Sequence, residues 1–489
     1  MSKLIITYIF VFIILWVKPL MSNNNRVKAI GNMKITVEDI DRQINLFQIA
    51  QNNACLKSND STGWTDFRIY NNYLSGDIRR HWDAQTNSLS YFGFRGQKHI
   101  SENQVFYGDV YYIWDYRYKM NQAIDKYPYE PDPFVLADST AGTFNYFGPA
   151  ISAIYAYNMT DNFSVGISIY YNINEGLKTI YTMPEIIDRE SNLSLDLAWL
   201  ITPHITVGLS FKPYQRQQIT KLVKQPDGKD PQTYRYRGEF IFRKSTSSSD
   251  RRSLFEGYEL IPQIALHGDH YDGVLLFNYI YQWHELYDNP SQRLYDGFYQ
   301  GEQYIFNSVF RCYLDEKHND LFSLSYKYRK LNDWARNPNA YLLIYQADYN
   351  QNSVIGGYSH RFASLPLLAA VEFSYFHDST VKNDYLAHVF RKGINHNIKL
   401  SIGGEYLIEN NLALRSGIIY NKYDEDPVWN YFGSYAGINL TVGIGYIYKN
   451  MVMDLYGIIG KASNTPSIGE TDSKKNQKIN FSFEIKRYF

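Results

Sequence analysis

The chain has 489 residues, enough for one large domain or two to three ordinary ones, and its 49 basic residues balance 49 acidic ones. Zero net charge argues against a nucleic-acid-binding protein, which needs a basic excess. Only two cysteines exclude a disulfide-stapled scaffold, and 46 Tyr, 28 Phe and 8 Trp exclude a disordered chain. We expect a folded, aromatic-rich protein with no nucleic acid among its partners.

Residues 1–22 have the features of a signal peptide. Lys3 precedes an apolar run from Leu4 to Val17, which is shorter than the roughly 20 residues that a membrane-spanning helix needs. We therefore expect export followed by removal of this segment. A retained membrane anchor is the alternative.

Residues 23–65 differ from the rest of the chain because apolar residues recur there at helical spacing. The stretch Ile35–Ile49 predicts one amphipathic helix, with Thr36 as its N-cap. Such a helix suits a plug inside a barrel. It equally suits a periplasmic segment packed against the rim of the barrel.

The strongest pattern in residues 66–489 is the alternation of apolar and small polar residues. It is clear in Phe163–Tyr171, Leu193–Trp199 and Leu440–Tyr446. Alternation predicts strands with two different faces, and segments of about 9 to 13 residues are long enough to cross a bilayer. The pattern predicts an all-β fold: a transmembrane, antiparallel, up-and-down β-barrel of about 14–18 strands with a lipid-facing exterior and a polar lumen.

The connections between the predicted strands alternate in length. Short turns such as Asn158–Asn162 alternate with long polar stretches at 174–189, 217–233, 285–300, 379–395 and 461–476. Short turns on one side and long loops on the other are typical of outer-membrane barrels. Two successive short stretches, Asn350–Asn352 and Ala363–Pro366, break this rhythm. Either one is a short turn on the loop side, or one strand has been divided in two.

The last residues of the chain, Phe481–Phe489, resemble the C-terminal insertion signal of bacterial outer-membrane barrels. Phe481, Phe483, Ile485 and Phe489 match its alternating apolar positions, whereas Arg487 departs from it. The resemblance implies the outer membrane of a Gram-negative bacterium as the location. It also implies outer-membrane lipid and the barrel-assembly machinery as partners.

A second resemblance extends along most of the chain. Gln51–Leu56, the Tyr-rich strands and Ala137–Thr143 resemble an uncharacterised family of Bacteroidota-type outer-membrane barrels. The Asn-Ala-Cys-Leu sequence at 53–56 is more weakly similar to the plug motif of fatty-acid-transporter-type barrels, which combine an N-terminal plug with 14 strands. The resemblance implies a fold and a location but no activity.

Two clusters have residue types that occur in metal or catalytic sites. His267 and His270, with Asp272 close behind, contain metal-ligating groups, but Gly and Asp between strands are more typical of a hairpin turn. His377 and Ser379 have hydrolase chemistry, yet adjacency in sequence does not make a triad. We therefore expect no enzyme activity, no cofactor and no metal.

Charged residues on the predicted polar faces are candidates for setting ion preference in a lumen. They are Asp196, Glu239, Lys327, Glu372 and Glu405. A barrel of this size with a polar lumen predicts a pore or transporter for small or hydrophobic solutes. The alternative is a structural, assembly or binding role in an envelope complex with a plugged barrel. For that role the aromatic stretch Asp288–Tyr299 offers contacts to a protein or glycan.

Overall fold

The computed structural model describes residues 24–36, 44–56, 62–128, 132–180, 182–222, 231–238, 241–245, 250–289, 294–337, 342–408, 411–424, 434–464 and 474–489. The first of these ranges contain helix α1 (Asn24–Ala29), helix α2 (Leu46–Ala50) and a 3₁₀ helix (Asn53–Cys55). None of the described helices is long and apolar enough to span a membrane. The predicted signal peptide, residues 1–22, lies outside the described residues.

Strands make up most of the described chain. They are β1 (Trp64–Gly76), β2 (Ala84–Ser101), β3 (Gln104–Met120), β4 (Leu136–Asp138), β5 (Gly142–Asn158), β6 (Phe163–Lys178), β7 (Glu185–Thr202), β8 (Ile205–Lys221), β9 (Thr233–Tyr236), β10 (Phe242–Ser245), β11 (Arg251–His267), β12 (Tyr271–Asp288), β13 (Leu294–Tyr313), β14 (Asp320–Arg336), β15 (Leu343–Arg361), β16 (Leu367–Asp384), β17 (Val389–Ile408), β18 (Leu412–Tyr423), β19 (Tyr435–Tyr448), β20 (Met451–Asn464) and β21 (Lys475–Tyr488).

Eighteen of these strands form one closed antiparallel sheet. Each barrel strand pairs with the barrel strands before and after it in the chain. Strand β8 pairs with β11, with β9 and β10 between them in the sequence, and β1 pairs with β21 to close the circle. The remaining strands, β4, β9 and β10, form a separate three-stranded sheet. This architecture confirms the predicted transmembrane up-and-down barrel, with a strand number at the upper end of the predicted range.

The alternation in the sequence separates an apolar outer face from a polar inner face. Along β7, Leu193, Leu195 and Leu197 are exposed, whereas Ser194 and Asp196 between them are buried. The same contrast recurs around the barrel, so that the exposed aliphatic and aromatic residues form an outer belt. Such a surface is stable only against lipid, which is why the barrel spans a membrane.

The strands are longer than their apolar segments indicated, and this corrects the predicted loops. Strand β6 continues to Lys178 and β7 begins at Glu185, so most of the predicted loop 174–189 is strand. Strand β15 runs unbroken through Asn350–Asn352, which shows that one strand was divided in two, while Ala363–Pro366 is a genuine turn. Charged residues such as Glu175, Asp188 and Arg189 lie within these strand ends, which is why the sequence there resembled a polar loop.

The N-terminal region is helical, but the predicted single helix Ile35–Ile49 is wrong. Its central residues, 37–43, lie outside the described residues. Asn45 is extended (φ −132°, ψ 176°) and caps α2 through a reciprocal capping box with Gln48. Thr36 is not a cap: its hydroxyl lies 3.1 Å from the Ser323 hydroxyl on β14 and 3.2 Å from the Glu372 carboxylate on β16.

Candidate functional site

The N-terminal residues 24–36 and 44–56, here called the collar, follow the inner wall near the barrel end that has the short turns. Helix α1 contacts β20, β19 and β18, and α2 contacts β11 and β12. The 3₁₀ helix contacts β7, β6 and β5, and Leu56 packs against Val105 of β3. The collar therefore passes neighbouring strands in order from β20 round to β3.

The first anchor of the collar is a buried ion-pair network. The Arg26 guanidinium lies 2.7 Å from the Glu405 carboxylate on β17. Glu405 is also paired at 2.7 Å with Arg415 on β18, which in turn pairs with Asp454 on β20. Two arginines and two carboxylates thus neutralise each other, which a buried charge requires.

The second anchor is the Thr441 hydroxyl on β19. It donates to the Ala29 carbonyl at 2.7 Å and accepts from the Gly31 N–H at 2.9 Å. Gly31 has φ +72° and lies so close to Ile402 that a Cβ atom would be 3.3 Å from that carbonyl oxygen. Glycine is therefore needed both for the left-handed turn and for the close approach to β17.

Glu372 on β16 is the third anchor and binds three successive collar residues. Its carboxylate accepts from the backbone N–H groups of Lys34 at 2.8 Å and Ile35 at 3.0 Å, and from the Thr36 hydroxyl at 3.2 Å. Glu372 is almost completely buried. The buried carboxylate is tolerated there because these donors replace its water.

Asp272 on β12 is the fourth anchor. It belongs to the sequence cluster with His267 and His270, for which a metal site and a hairpin turn were the two interpretations. The Arg311 guanidinium donates to both Asp272 oxygens, at 2.9 and 2.6 Å, and the Ile44 N–H donates at 3.0 Å. The carboxylate is thus part of the collar seat. Among the described residues, no group of three or more His, Cys, Asp or Glu side chains is placed to hold a metal.

Asp196 on β7 is the fifth anchor. It accepts from the Asn53 amide at 2.6 Å and from the Ser194 hydroxyl at 2.7 Å. The neighbouring Asn52 amide donates to Gln263 on β11 at 3.1 Å. Burial, together with the nearby Asp196 carboxylate, raises the pKa of the Cys55 thiol to about 12.

Four of the five predicted lumen charges face inward, and three of those four bind the collar. Asp196, Glu372 and Glu405 are the carboxylates just described, and Lys327 lies farther along β14 on the same inner face as Ser323. Glu239 lies outside the described residues. Sequence alternation found the inner face, but it gave no sign that these groups hold another part of the chain.

The arc of strands β21, β1 and β2 has an ion network of its own. Arg95 pairs with Asp66 at 2.5 Å and with Glu484 at 3.1 Å. Two residues after Asp66 on β1, and farther from the short-turn end, Arg68 pairs with Asp109 at 2.8 Å. Near the short-turn end, the side chains of this network therefore cover the inner face of β21, β1 and β2.

Farther along this arc, four inward tyrosines form a continuous group, here called the tyrosine ladder. The rings of Tyr70 and Tyr91 stack with centroids 4.7 Å apart, and Tyr91 and Tyr111 follow at 5.9 Å. The hydroxyls of Tyr111 and Tyr170 are 3.4 Å apart. The Asn480 amide donates to the Tyr70 hydroxyl at 2.9 Å.

The ladder was not evident from the sequence because tyrosines occur on both faces of the Tyr-rich strands. Some tyrosines of β3 do face outward, including Tyr116 and Tyr118, which are exposed on the same side as Trp114. Tyr111 has the opposite parity in the strand and faces the lumen. Residue parity within a correctly bounded strand was the signal that would have separated the two groups.

At the long-loop end, residues 121–128, 132–138, 231–238 and 241–245 form a lid. Its ion pairs join it to one side of the barrel: Lys126 to Asp188 on β7 at 2.8 Å, Lys178 of β6 to Asp138 of the lid, Arg235 to Asp288 on β12, and Arg237 to Asp296 on β13. Farther round, Tyr236 packs against Trp82 next to β2, and Gly238 lies beside the Asp384 carboxylate on β16. The lid therefore crosses the mouth.

In the stretch Asp288–Tyr299, for which contact to a protein or glycan was predicted, residues 290–293 lie outside the described residues, and several of the others are buried. Asp288 and Asp296 are buried ion-pair partners of the lid, and Tyr299 is fully buried beside Asp333 at 3.2 Å. In the predicted hydrolase cluster, His377 and Ser379 lie on the same outer face of β16, whereas Asp378 between them lies on the inner face.

Asp125 of the lid is enclosed by lid and wall. The Leu136 N–H donates to its carboxylate at 2.5 Å, and the Gln218 amide donates at 3.0 Å. Burial raises the pKa of Asp125 to about 6, which outweighs the lowering effect of Arg251. Between the lid and strands β1–β3 lies a cavity of about 480 Å³, lined in part by Leu74, Asn87 and Trp82.

The residues of the predicted insertion signal lie on the outer face of β21 and at its end. Phe481 is exposed, and Phe483 and Ile485 follow on the same face. Phe489 is 63% exposed, its N–H donates to the Gly63 carbonyl at 3.0 Å, and its ring packs against Gly63. Their role as an insertion signal stays a prediction.

Several solved barrels are similar to this chain. The outer membrane transporter YddB from Escherichia coli is 7% identical, with 86% of this chain and 80% of that chain covered and a TM-score of 0.41. The toluene transporter TbuX of Ralstonia pickettii is 10% identical, with 96% and 98% covered and a TM-score of 0.35. The toluene transporter TodX of Pseudomonas putida is 12% identical, with 97% and 100% covered and a TM-score of 0.33.

No curated protein matches the sequence significantly. A family model described as "Family of unknown function (DUF6850)" matches residues 53–486. That range holds the end of the collar, the lid and nearly the whole barrel. Because the match covers most of its length, the chain belongs to this family of unknown function, DUF6850.

Proposed function

We propose that the protein is an outer-membrane channel for small polar solutes whose short-turn mouth is narrowed by its own N-terminal collar. The observation that carries the proposal is the seat of the collar. Buried side chains of the inner wall, chief among them Glu372 and Asp272, bind its backbone N–H groups, while the outer wall is apolar. A segment held in this way sets the width of the passage.

The inner wall favours polar solutes over the hydrophobic ones that the sequence also allowed. At mid-height its side chains include Asn72, Asn192, Gln303 and Lys327, which a hydrocarbon would leave without hydrogen bonds. We place the short turns on the periplasmic side and the lid outside the cell, in the orientation usual for such barrels. The surrounding lipid and the barrel-assembly machinery are then its partners, in a Bacteroidota-type Gram-negative envelope.

A second candidate is a structural or assembly role with a closed lumen and no catalytic function. The observation that favours it is the lid, which buried ion pairs such as Lys126–Asp188 and Arg235–Asp288 fix to the wall at the long-loop mouth. In this role both ends of the barrel are fixed surfaces that other envelope proteins can contact.

Ion conductance in planar bilayers distinguishes the two roles. The full mature chain is compared with a chain that lacks residues 24–56 and with Glu372→Ala, which removes one anchor and leaves the collar in place. Folding of each protein is verified by circular dichroism and by its heat-dependent migration in gels. Glu185→Ala, at a partly exposed ion pair on β7, is the matched control.

The channel proposal predicts steady conductance by the full chain and larger conductance by the shortened chain. Glu372→Ala should give intermediate or noisier currents, and Glu185→Ala should match the full chain. A folded full chain and a folded shortened chain that are both silent would contradict the channel and favour the structural role.

A further inference from the structure

We infer that the tyrosine ladder is the binding site of a carbohydrate, which enters from the long-loop mouth. This inference rests on the proposed channel function and names the class of its solute. Tyr70, Tyr91 and Tyr111 lie on the neighbouring strands β1, β2 and β3, and the ladder continues to Tyr170 on β6. Tyr70 and Tyr91 lie in the arc that has the Arg95 network, whereas Tyr111 and Tyr170 lie on strands that also contact the collar.

The ladder combines flat apolar surface with hydroxyl groups. Tyr70, Tyr91, Tyr111 and Tyr170 are all half-buried, so part of each ring and its polar end face the lumen. An aromatic ring packs well against the C–H face of a sugar ring, since both are flat and weakly polar. A phenolic hydroxyl both donates and accepts hydrogen bonds, which suits a ligand rich in hydroxyls.

Buried amide oxygens without hydrogen-bond partners flank both ends of the ladder. Asn72 on β1 and Asn480 on β21 are register partners beside Tyr70, and Asn192 on β7 is the register partner of Tyr170. In the described part of the chain, the Oδ1 atoms of all three lack a partner. Buried acceptors of this kind normally bind something, and sugar hydroxyls are suitable donors.

The same groups argue against an aromatic hydrocarbon as the occupant. An apolar ligand stacked on Tyr91 would cover the amide oxygens and the nearby Arg68–Asp109 pair without hydrogen-bonding to them. Leaving buried polar groups unpaired costs affinity. A sugar keeps the stacking contact and satisfies the acceptors.

A route leads to the ladder from outside. The cavity of about 480 Å³ under the lid is lined by Leu74 and Asn87, which lie on the inner faces of β1 and β2, four residues from Tyr70 and Tyr91 respectively. Its volume is within the range of small-ligand sites, roughly 300–1,000 Å³. A ligand in this cavity therefore lies close to Tyr70 and Tyr91, the first stacked pair of the ladder.

The test measures binding to the full mature protein in detergent, by titration calorimetry and tyrosine fluorescence, with glucan, mannan and uronate hexasaccharides and with toluene. Binding in detergent does not require conduction, so a failed channel and a failed sugar site give different results. Tyr91→Ala removes the centre of the ladder and Tyr91→Phe keeps the ring. Tyr349→Ala, at an inward tyrosine on β15 across the lumen, is the matched control.

We expect at least one hexasaccharide to bind. Tyr91→Ala should weaken it about tenfold, Tyr91→Phe by a smaller factor, and Tyr349→Ala should leave it unchanged. Blockage of the ion current by the same sugar would place the site in the passage. The inference is overturned if no hexasaccharide binds to the folded protein, if toluene binds instead, or if Tyr349→Ala weakens binding as much as Tyr91→Ala.

Discussion

The Glu372 carboxylate on β16 accepts a hydrogen bond from the Ile35 N–H at 3.0 Å, although 337 positions separate the two residues in the chain. The Lys34 N–H donates to the same oxygen at 2.8 Å. When wall side chains bind backbone N–H groups, they fix the backbone conformation of the bound segment and depend little on its side chains. Three of the five anchors, at Thr441, Glu372 and Asp272, bind backbone groups of the collar. The other two, at Glu405 and Asp196, bind the side chains of Arg26 and Asn53.

Glu372→Gln should loosen the collar while leaving the barrel intact. The amide retains one acceptor oxygen but loses the charge, and each hydrogen bond to a charged group is worth about 1.5–3 kcal/mol. We expect amide hydrogen exchange at Lys34 and Ile35 to accelerate by roughly ten- to a hundredfold, the equivalent of that loss. Glu185→Gln is the control. Unchanged exchange in the variant would show that Glu372 does not hold the collar.

Arg415→Ala should destabilise the barrel far more than a surface change does. It leaves Glu405 with Arg26 alone and Asp454 without its arginine, and removing one partner of a buried pair costs about 3–5 kcal/mol. Lys221→Ala breaks the more exposed pair with Glu185 and should cost less than about 1 kcal/mol. Urea unfolding in lipid vesicles measures both. If both variants lost the same free energy of unfolding, the buried ion-pair network would not have the stabilising role assigned to it here.

The barrel was predictable from the sequence because a single period-two pattern specifies strand, face and lipid exposure together. The collar was not, because its residues follow the shape of the wall. Asn45 is extended where helical spacing predicted a helix. Asp196, Glu372 and Glu405 were found as lumen charges, but their pairing with collar residues at least 143 positions away leaves no local trace in the sequence. The lid was missed for the same reason.

The Cys55 thiol should resist alkylation in the folded protein. Its pKa of about 12 leaves very little thiolate at pH 8, and thiolate is the reactive species. In a Cys312→Ser background, iodoacetamide should react with Cys55 at least about a hundredfold more slowly than in the urea-unfolded chain. Adding Asn53→Ala, which removes the bond to Asp196, should increase the rate. Fast alkylation of the folded chain would show that the collar does not bury this thiol.

The lid should become less stable as pH rises from about 4 to 6. Burial raises the pKa of Asp125 from 3.8 to about 6, so the folded lid binds a proton more tightly than the unfolded chain does. The stability contributed by this proton is present at low pH and is lost as pH rises through the folded pKa.

Asp125→Asn should remove this pH dependence and stabilise the lid at pH 7 by about 1–2 kcal/mol, because the amide oxygen still accepts from the Leu136 N–H. The measurement is hydrogen exchange at Leu136, corrected for its intrinsic pH dependence. Asp315→Asn, in an exposed turn at the other end of the barrel, should leave the profile unchanged. A profile that is identical in wild type and Asp125→Asn would rule out this group as the source.

Phe489→Ala should impair assembly of the barrel without destabilising the assembled protein. The side chain is 63% exposed, and the hydrogen bond from its N–H to Gly63 does not depend on the ring. An exposed aromatic ring contributes little to folded stability, so a severalfold drop in membrane-inserted protein would reflect recognition during insertion. Phe310→Ala, at another exposed outward phenylalanine, is the control. If both variants assemble equally well, the C-terminal residue is not a signal.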